Sequence, residues 1–138
     1  MNKEDLVYAA GIVDGEGQVT IDKSTRPRMV NPSYSVYAKV YNTNKVLTDY
    51  LLATFGGSSS TEPSKHPNHK DEHQWTLYGN RAMNFLIDIL PFLRLKNKQA
   101  ELCITLQKII NSERIDNNNR DIRENLYQQV KTLNKRGK

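Results

Sequence analysis

The sequence predicts an α+β domain in which four strands form one antiparallel sheet and helices cover a single face of it. Three observations carry that expectation. Apolar residues recur at helical spacing in four segments, near residues 3–14, 46–55, 81–90 and 97–110. Two stretches, Gln18–Asp22 and Tyr34–Tyr41, instead alternate apolar with polar residues, as half-buried strands do. The segments follow in the order helix, two strands, helix, two strands, helix, with no repeat, which favours a mixed domain over a parallel α/β one.

Residues 3–14 place Leu6, Val7, Ala10 and Val13 at helical spacing behind acids in the first turn, and Gly15 is the expected stop. Val19 and Ile21 should face inward on the first strand, and Tyr34, Val36, Ala38 and Val40 on the second, with a proline-containing loop over Ser24–Ser33. Asn42 or Thr43 is placed to cap a helix presenting Val46, Leu47, Leu51, Leu52 and Phe55, ended by Gly56 and Gly57. Strands at Ser58–Glu62 and His73–Tyr78 flank a polar tip, with Trp75 and Leu77 inward. Asn80 should cap the next helix, which Pro91 interrupts. A long helix from Asn97 to Ile110 follows, then a loop at 117–119 and a polar helix over Asp121–Leu133, so that residues 110–138 form a C-terminal helical extension of one 1–138 domain.

A chain of 138 residues can bury a core without a disulfide or structural metal, and its lone cysteine, Cys103, sits in an apolar run. No apolar stretch reaches membrane-spanning length and no signal-peptide pattern opens the chain, so a soluble, intracellular protein is expected, with no membrane or small-molecule cofactor. The formal charge is +5. Bases concentrate in two regions: five against one acid from Gly17 to Thr48, and twelve against six from 81 to 138. Such a distribution suits a polyanionic partner.

The stretch from Ala9 to Gly17, AAGIVDGEG, carries the most chemistry. Ala9, Ala10 and Gly11 remove nearly all side chain from part of a helix, which allows a second helix to approach closer than the usual 8–10 Å. Only one such helix occurs, so the partner should be a second copy, joined about a two-fold axis through Ala9, Ala10, Gly11, Val13 and Asp14. Paired helix ends would then bring together two Glu16 carboxylates and the Gly15 carbonyls, the oxygen ligands that hard divalent cations prefer. An Asp-Gly-Glu-Gly turn is also ordinary helix-to-strand chemistry, and Asp14 is expected to hydrogen-bond around the helix ends rather than hold metal.

These nine residues resemble the LAGLIDADG motif of homing endonucleases, with Glu16 in place of the commoner aspartate. The segment Pro91–Ala100, PFLRLKNKQA, resembles the one that in single-motif members enters the penultimate long helix and supplies a basic active-site residue, here Lys96. The resemblance spans about residues 4–110. It implies a homodimeric, site-specific endonuclease for double-stranded DNA that cleaves a long pseudo-palindrome by metal-dependent hydrolysis. Magnesium is the implied cofactor, manganese a substitute, and calcium should support binding without cleavage. By the same resemblance Glu16 and Lys96 are catalytic, and Asn42 and Lys45 take the remaining polar and basic positions, with Tyr41 or Asn44 as alternatives one or two residues away.

In that family the sheet forms a saddle over the duplex. Alternation points Gln18, Thr20, Asp22, Ser24, Ser35, Tyr37 and Lys39 outward on the first pair of strands, and Ser60, Glu62, Glu72, Gln74 and Thr76 on the second. Lys23, Arg26, Arg28 and Lys98 are expected at phosphates. His66, His69 and His73 lie in a polar tip without cysteine and read as a solvated or phosphate-facing loop rather than a zinc site. A non-cleaving regulator or an intron maturase on the same scaffold is the alternative function, and a protein-interaction module with an accidental motif the third.

Overall fold

The computed structural model describes residues 1–27, 31–112 and 117–136. Helix α1 (Lys3–Glu16) starts at Asn2, whose side chain accepts the Asp5 amide at 2.9 Å while the Asp5 carboxylate returns to the Asn2 amide, a reciprocal cap. The helix does not stop at Gly15. It continues through Glu16 and turns directly into strand β1 (Gly17–Ser24) in extended conformation, Gly17 having φ −92°. A Cβ on Gly17 would lie 2.8 Å from the Val13 Cα, so it is the closeness of helix and strand, and not a left-handed residue, that demands glycine.

Strand β2 (Ser33–Asn42) returns beside β1, so Ser24 and Ser33 are strand residues rather than loop. Helix α2 (Lys45–Phe55) follows. Its cap is Asn44, not Asn42 or Thr43, the Asn44 side chain accepting from the Val46 amide at 3.0 Å. Strands β3 (Ser58–Glu62) and β4 (Glu72–Tyr78) complete one antiparallel sheet of order β1-β2-β4-β3. Helix α3 (Gly79–Ile89) begins from Tyr78 without the expected Asn80 cap, and a 3-10 turn at Leu90–Phe92 leads to α4 (Asn97–Ser112). Helix α5 (Asn117–Arg136) is longer than expected and includes residues 117–119.

The strands place Val19, Ile21, Tyr34, Val36, Ala38, Val40, Trp75 and Leu77 on one buried face. Onto it pack Ala9, Ala10 and Val13 of α1, Leu51 of α2, Phe85, Leu86 and Ile89 of α3, Cys103 and Leu106 of α4, and Val130 of α5. Trp75 is fully buried against Phe55 and Phe85, and its indole N–H donates to the Gly56 carbonyl at 2.7 Å, leaving its polar atom satisfied. Cys103 is buried as expected, and burial pushes its thiol up to about 12. No described helix is long and apolar enough to cross a membrane.

Helix α5 lies along β1, an edge strand whose unpaired backbone would otherwise invite another chain. The Asn134 side chain donates to the Val19 carbonyl at 3.1 Å, and Glu124 accepts from the Lys23 ammonium at 2.6 Å and the Tyr34 hydroxyl at 2.5 Å. Lys23 therefore points to the helix side of the sheet, with Val19 and Ile21. The expectation that it contacts phosphate beside Asp22 is corrected: its charge is paired within the chain.

Hydrogen bonds from Gln128, Lys23 and Tyr34 hold the Glu124 carboxyl down at about 2, against 4.5 for the unperturbed group. A value depressed by folding stabilises the fold above the unperturbed pKa, and that contribution is lost as pH falls toward the folded one. Thermal melts from about pH 7 to pH 2 should therefore show a falling melting temperature in acid, and Glu124→Gln should melt lower at neutral pH with a shallower acid limb. Parallel acid limbs in the two proteins would remove Glu124 from this role.

Candidate active site and nucleic-acid interface

Glu16 is the last residue of α1 and is exposed. Its Oε2 accepts from the Asn42 side-chain nitrogen at 2.6 Å. Asn42 is oriented in turn, because its oxygen accepts the Asn44 amide at 2.7 Å as β2 turns into α2. The two elements thus aim one carboxylate, and Oε1 is left without an internal partner among the described residues. Sequence reasoning placed Asn42 correctly beside Glu16.

Lys45 is not brought there. Its ammonium pairs with Asp49 one turn along α2, at 3.1 Å in solvent, whereas Asn44 lines the groove that contains Glu16. Of the two alternatives, Asn44 is at the site, and Tyr41 faces the far side of the sheet near Lys39.

Lys96 lies at the end of α1 with its ammonium turned onto backbone. Nζ donates to the carbonyls of Val13, Asp14 and Gly17 at 3.0, 3.1 and 2.8 Å, and burial pushes its pKa below the usual lysine value while Asp14 opposes that shift. An ammonium has three protons, so none faces a substrate in this arrangement. Asp14 accepts the amides of Arg94, Leu95 and Lys96 at 2.8, 3.2 and 3.1 Å. Both of its carboxylate oxygens are thereby engaged within its own chain.

The expected dimer surface also needs correction. Ala9, Ala10 and Val13 are 0, 0 and 1 % exposed within the single chain, where they let α1 sit close on the sheet. The outward stripe of the same helix is Val7, Tyr8, Gly11 and Gly15. It borders an open groove of about 890 Å³ whose other wall includes Val46 and Leu47 of α2, with Glu16 and Asn42 at one end. A Cβ at Gly11 or Gly15 would meet nothing within 4 Å, so nothing in the chain's own packing requires glycine at either position.

The opposite face of the sheet carries the expected polar rows. Gln18, Lys39, Thr76 and Ser58 lie in register across all four strands, Thr20, Tyr37 and Tyr78 form a row on one side, and Tyr41, Gln74 and Ser60 one on the other. Asp22 and Ser35 form an outer pair, as do Glu62 and Glu72, and Ser24 and Arg26 close the hairpin end. The Lys39 ammonium sits 4.9 Å from the Tyr37 ring centroid and 5.7 Å from that of Tyr41, which holds the cation over the middle of the face. Tyr41 and Tyr78 belong to this surface although they were not assigned to it; the parity of β2 already placed Tyr41 there. Thr76 is only 3 % exposed and its hydroxyl accepts from Gln74, so it is not presented as expected. Lys98 faces the α4–α5 groove instead of the sheet. Arg28 lies outside the described residues.

Among the described residues no group of three or more His, Cys, Asp or Glu side chains is placed to hold a metal ion. In the 63–71 tip the His66 and His69 rings touch edge to face, and His73 bonds Thr61. The Glu16 end has oxygen donors of the kind hard cations prefer, but too few among the described residues to hold one.

No family model matches the sequence, and no curated protein does. Solved structures do match the fold. An archaeal intron-encoded homing endonuclease, I-Vdi141I, complexed with DNA, superposes with a TM-score of 0.79 at 14% identity, over 94% of this chain and 84% of that one. The homing endonuclease I-CvuI, in complex with its target in the presence of calcium, gives 0.74 at 18% identity, over 94% and 82%. The LAGLIDADG homing endonuclease I-LtrWI, bound to target DNA, gives 0.73 at 14% identity, over 94% of this chain and 44% of that one. The chain has the LAGLIDADG homing endonuclease fold.

Because the space around Gly11 is open and its backbone helical, Gly11→Ala should stabilise the isolated chain by about 0.5–1 kcal/mol, read by urea unfolding at low protein concentration. A destabilised variant would mean that Gly11 already serves the fold of the single chain.

Proposed function

We propose that the chain is a LAGLIDADG homing endonuclease of the single-motif type: a homodimer that binds a long pseudo-palindromic DNA duplex and hydrolyses one phosphodiester in each strand with magnesium. One observation carries the reading. A carboxylate aimed by Asn42 stands at the end of a helix whose glycine stripe and apolar groove are vacant in the single chain. Two copies joined along Gly11 and Gly15 would set two Glu16 carboxylates side by side, completing the oxygen set that one chain supplies by half.

Each part of the chain then has a task. Val7, Tyr8 and Val46, apolar and exposed, would be covered by the second copy. Glu16 and the Gly15 carbonyl would hold the cation, and Asn42 keeps the carboxylate turned toward it. A bound divalent cation there supplies water acidification and charge neutralisation at the attacked and leaving oxygens. The sheet face, with Gln18, Lys39, Gln74 and the three tyrosines, offers donors, acceptors and rings for base edges in the major groove. Arg26, Lys131 and Lys135, all exposed, suit phosphates. The same fold occurs in chains of about this length and in chains roughly twice as long, which fits a unit that works in pairs. Such a protein would act inside the cell, with calcium supporting binding alone and manganese replacing magnesium.

A non-cleaving DNA-binding protein on this scaffold is the second reading, favoured by one feature: the Lys96 ammonium is fully committed to backbone. The two readings separate on whether the wild type cuts, and Glu16→Gln tests the assigned carboxylate. Selection of cleaved sequences from a randomised duplex library with magnesium should yield a target that the wild type cuts. Glu16→Gln should bind it unchanged in calcium and cut it slower by about a hundredfold or more, the scale of losing several kcal/mol of charge stabilisation. A wild type that binds and never cuts establishes the second reading, and a Glu16→Gln variant that cuts normally removes Glu16 from catalysis.

Self-association has its own test. Gly11→Leu adds bulk to an open surface, so the protein should stay folded by circular dichroism while sedimentation shifts from dimer to monomer. A Gly11→Leu protein that sediments as the wild type does would place the dimer contact elsewhere.

A further inference from the structure

The end of α1 and the entry to α4 hold each other with crossed side chains. Asp14 on α1 accepts three consecutive amides of residues 94–96, and Lys96 donates to three carbonyls at the α1 terminus. Each charge faces the helix end that suits it. Lys96 precedes α4, as its carbonyl accepting the Ala100 amide shows, so the Asp14 carboxylate sits at the positive end of α4. The Lys96 ammonium sits at the negative end of α1, which has no base in its last turn and terminates in an acid, Glu16.

For Lys96 to serve a phosphodiester it would have to leave three carbonyls, half-buried, without its protons. Among the described residues nothing pulls it away: Asp14, the one charged group of these that faces it, is itself tied to the same segment through the backbone of Lys96. We propose that Lys96 is a positioning residue, which together with Asp14 locks the last turn of α1 and so sets where the Glu16 carboxylate stands relative to the cation and to its copy. This role rests on reading Glu16 as a metal-holding group, and it departs from the catalytic role that the motif resemblance implies for Lys96. The lysine acts through Glu16 and does not touch the reacting atoms.

The two roles differ in what fails when the lysine is lost. With Lys96→Met or Asp14→Ala, a positioning clamp predicts that the manganese concentration for half-maximal cleavage rises at least about tenfold, while most of the rate returns at saturating manganese, the pattern of a lost supporting shell. The double variant should be little worse than either single one, since both changes open the same clamp. Amide exchange at Gly17, whose N–H bonds to Val13, should accelerate at least about tenfold in both variants without DNA or metal.

A Lys96→Met protein that loses rate at saturating manganese with its requirement unchanged, while Asp14→Ala cuts normally, overturns the proposal in favour of direct charge stabilisation. If Lys96→Met fails to fold, Lys96→Arg is read by the same criteria, because a planar guanidinium keeps the charge but cannot match three converging carbonyls. A wild-type chain that cuts no duplex overturns the reading of Glu16 and the metal half of this proposal. Gly17 exchange that stays slow in both variants overturns the clamp itself, whatever cleavage shows.

Discussion

The structure turns on an acid placed where a helix least favours one. Glu16 occupies the last position of α1, at the negative end of the helix dipole, where a carboxylate costs about 0.3–1 kcal/mol and no base in the last turn offsets it. The compensation comes from the far part of the chain. Lys96 places an ammonium on the terminal carbonyls, and Asn42, from the end of β2, donates to the carboxylate directly. Helix, strand end and the α4 entry therefore converge on one side chain, and the packing of α1 on the sheet is what lets them meet.

That packing follows from side-chain size. Ala9 and Ala10 allow α1 to lie close over β1 and β2, and Gly17 lets the chain pass from helix to strand without a spacer, its missing Cβ leaving room for the Val13 backbone. A longer connection would let the α1 terminus swing, and the Glu16 carboxylate with it. At the β1 edge of the sheet, α5 closes β1 through Asn134, Glu124 and Lys23, so the edge into which α1 leads is neither free to pair nor free to fray. The uncovered face of the sheet is then the one broad polar surface that the described strands present, and its rows of side chains inherit their spacing from the strand register.

Much of the fold was legible because strands and helices advertise different periods. The alternation of Tyr34, Val36, Ala38 and Val40 marked the inward face of β2, and that of Val19 and Ile21 on β1 would have turned Lys23 inward had it been carried two residues further. Gly15 misled because a glycine near a helix end suggests a left-handed stop, whereas this chain needs its glycine two positions later for clearance. At the site, Glu16 and Asn42 were visible as residue types at the ends of predicted elements. The Lys96 contacts were not, since Asp14 and the amides it accepts come from segments far apart in sequence, and periodicity carries no information about such a meeting. Thr76 shows a related limit: alternation assigns a face but not the depth to which neighbours cover a small side chain.

Helix α1 carries two adjacent stripes of small residues, and the sequence alone does not say which one looks inward. Ala9, Ala10 and Val13 meet the sheet, which leaves Gly11 and Gly15 on the outer surface, flanked by Val7 and Tyr8. A glycine in an exposed helix costs roughly 0.5–1 kcal/mol relative to alanine. Two of them with open space beyond, beside exposed apolar side chains, are a stability loss that the single chain does nothing to recover. Close approach of a second helix would recover it, because the glycines would then admit backbone contact and the apolar flanks would leave water. Such an approach by a second copy would also bring its Glu16 next to this one. A surface that is costly alone and a carboxylate that would need a second one to hold a cation thus border the same groove, and a single symmetric contact would resolve both.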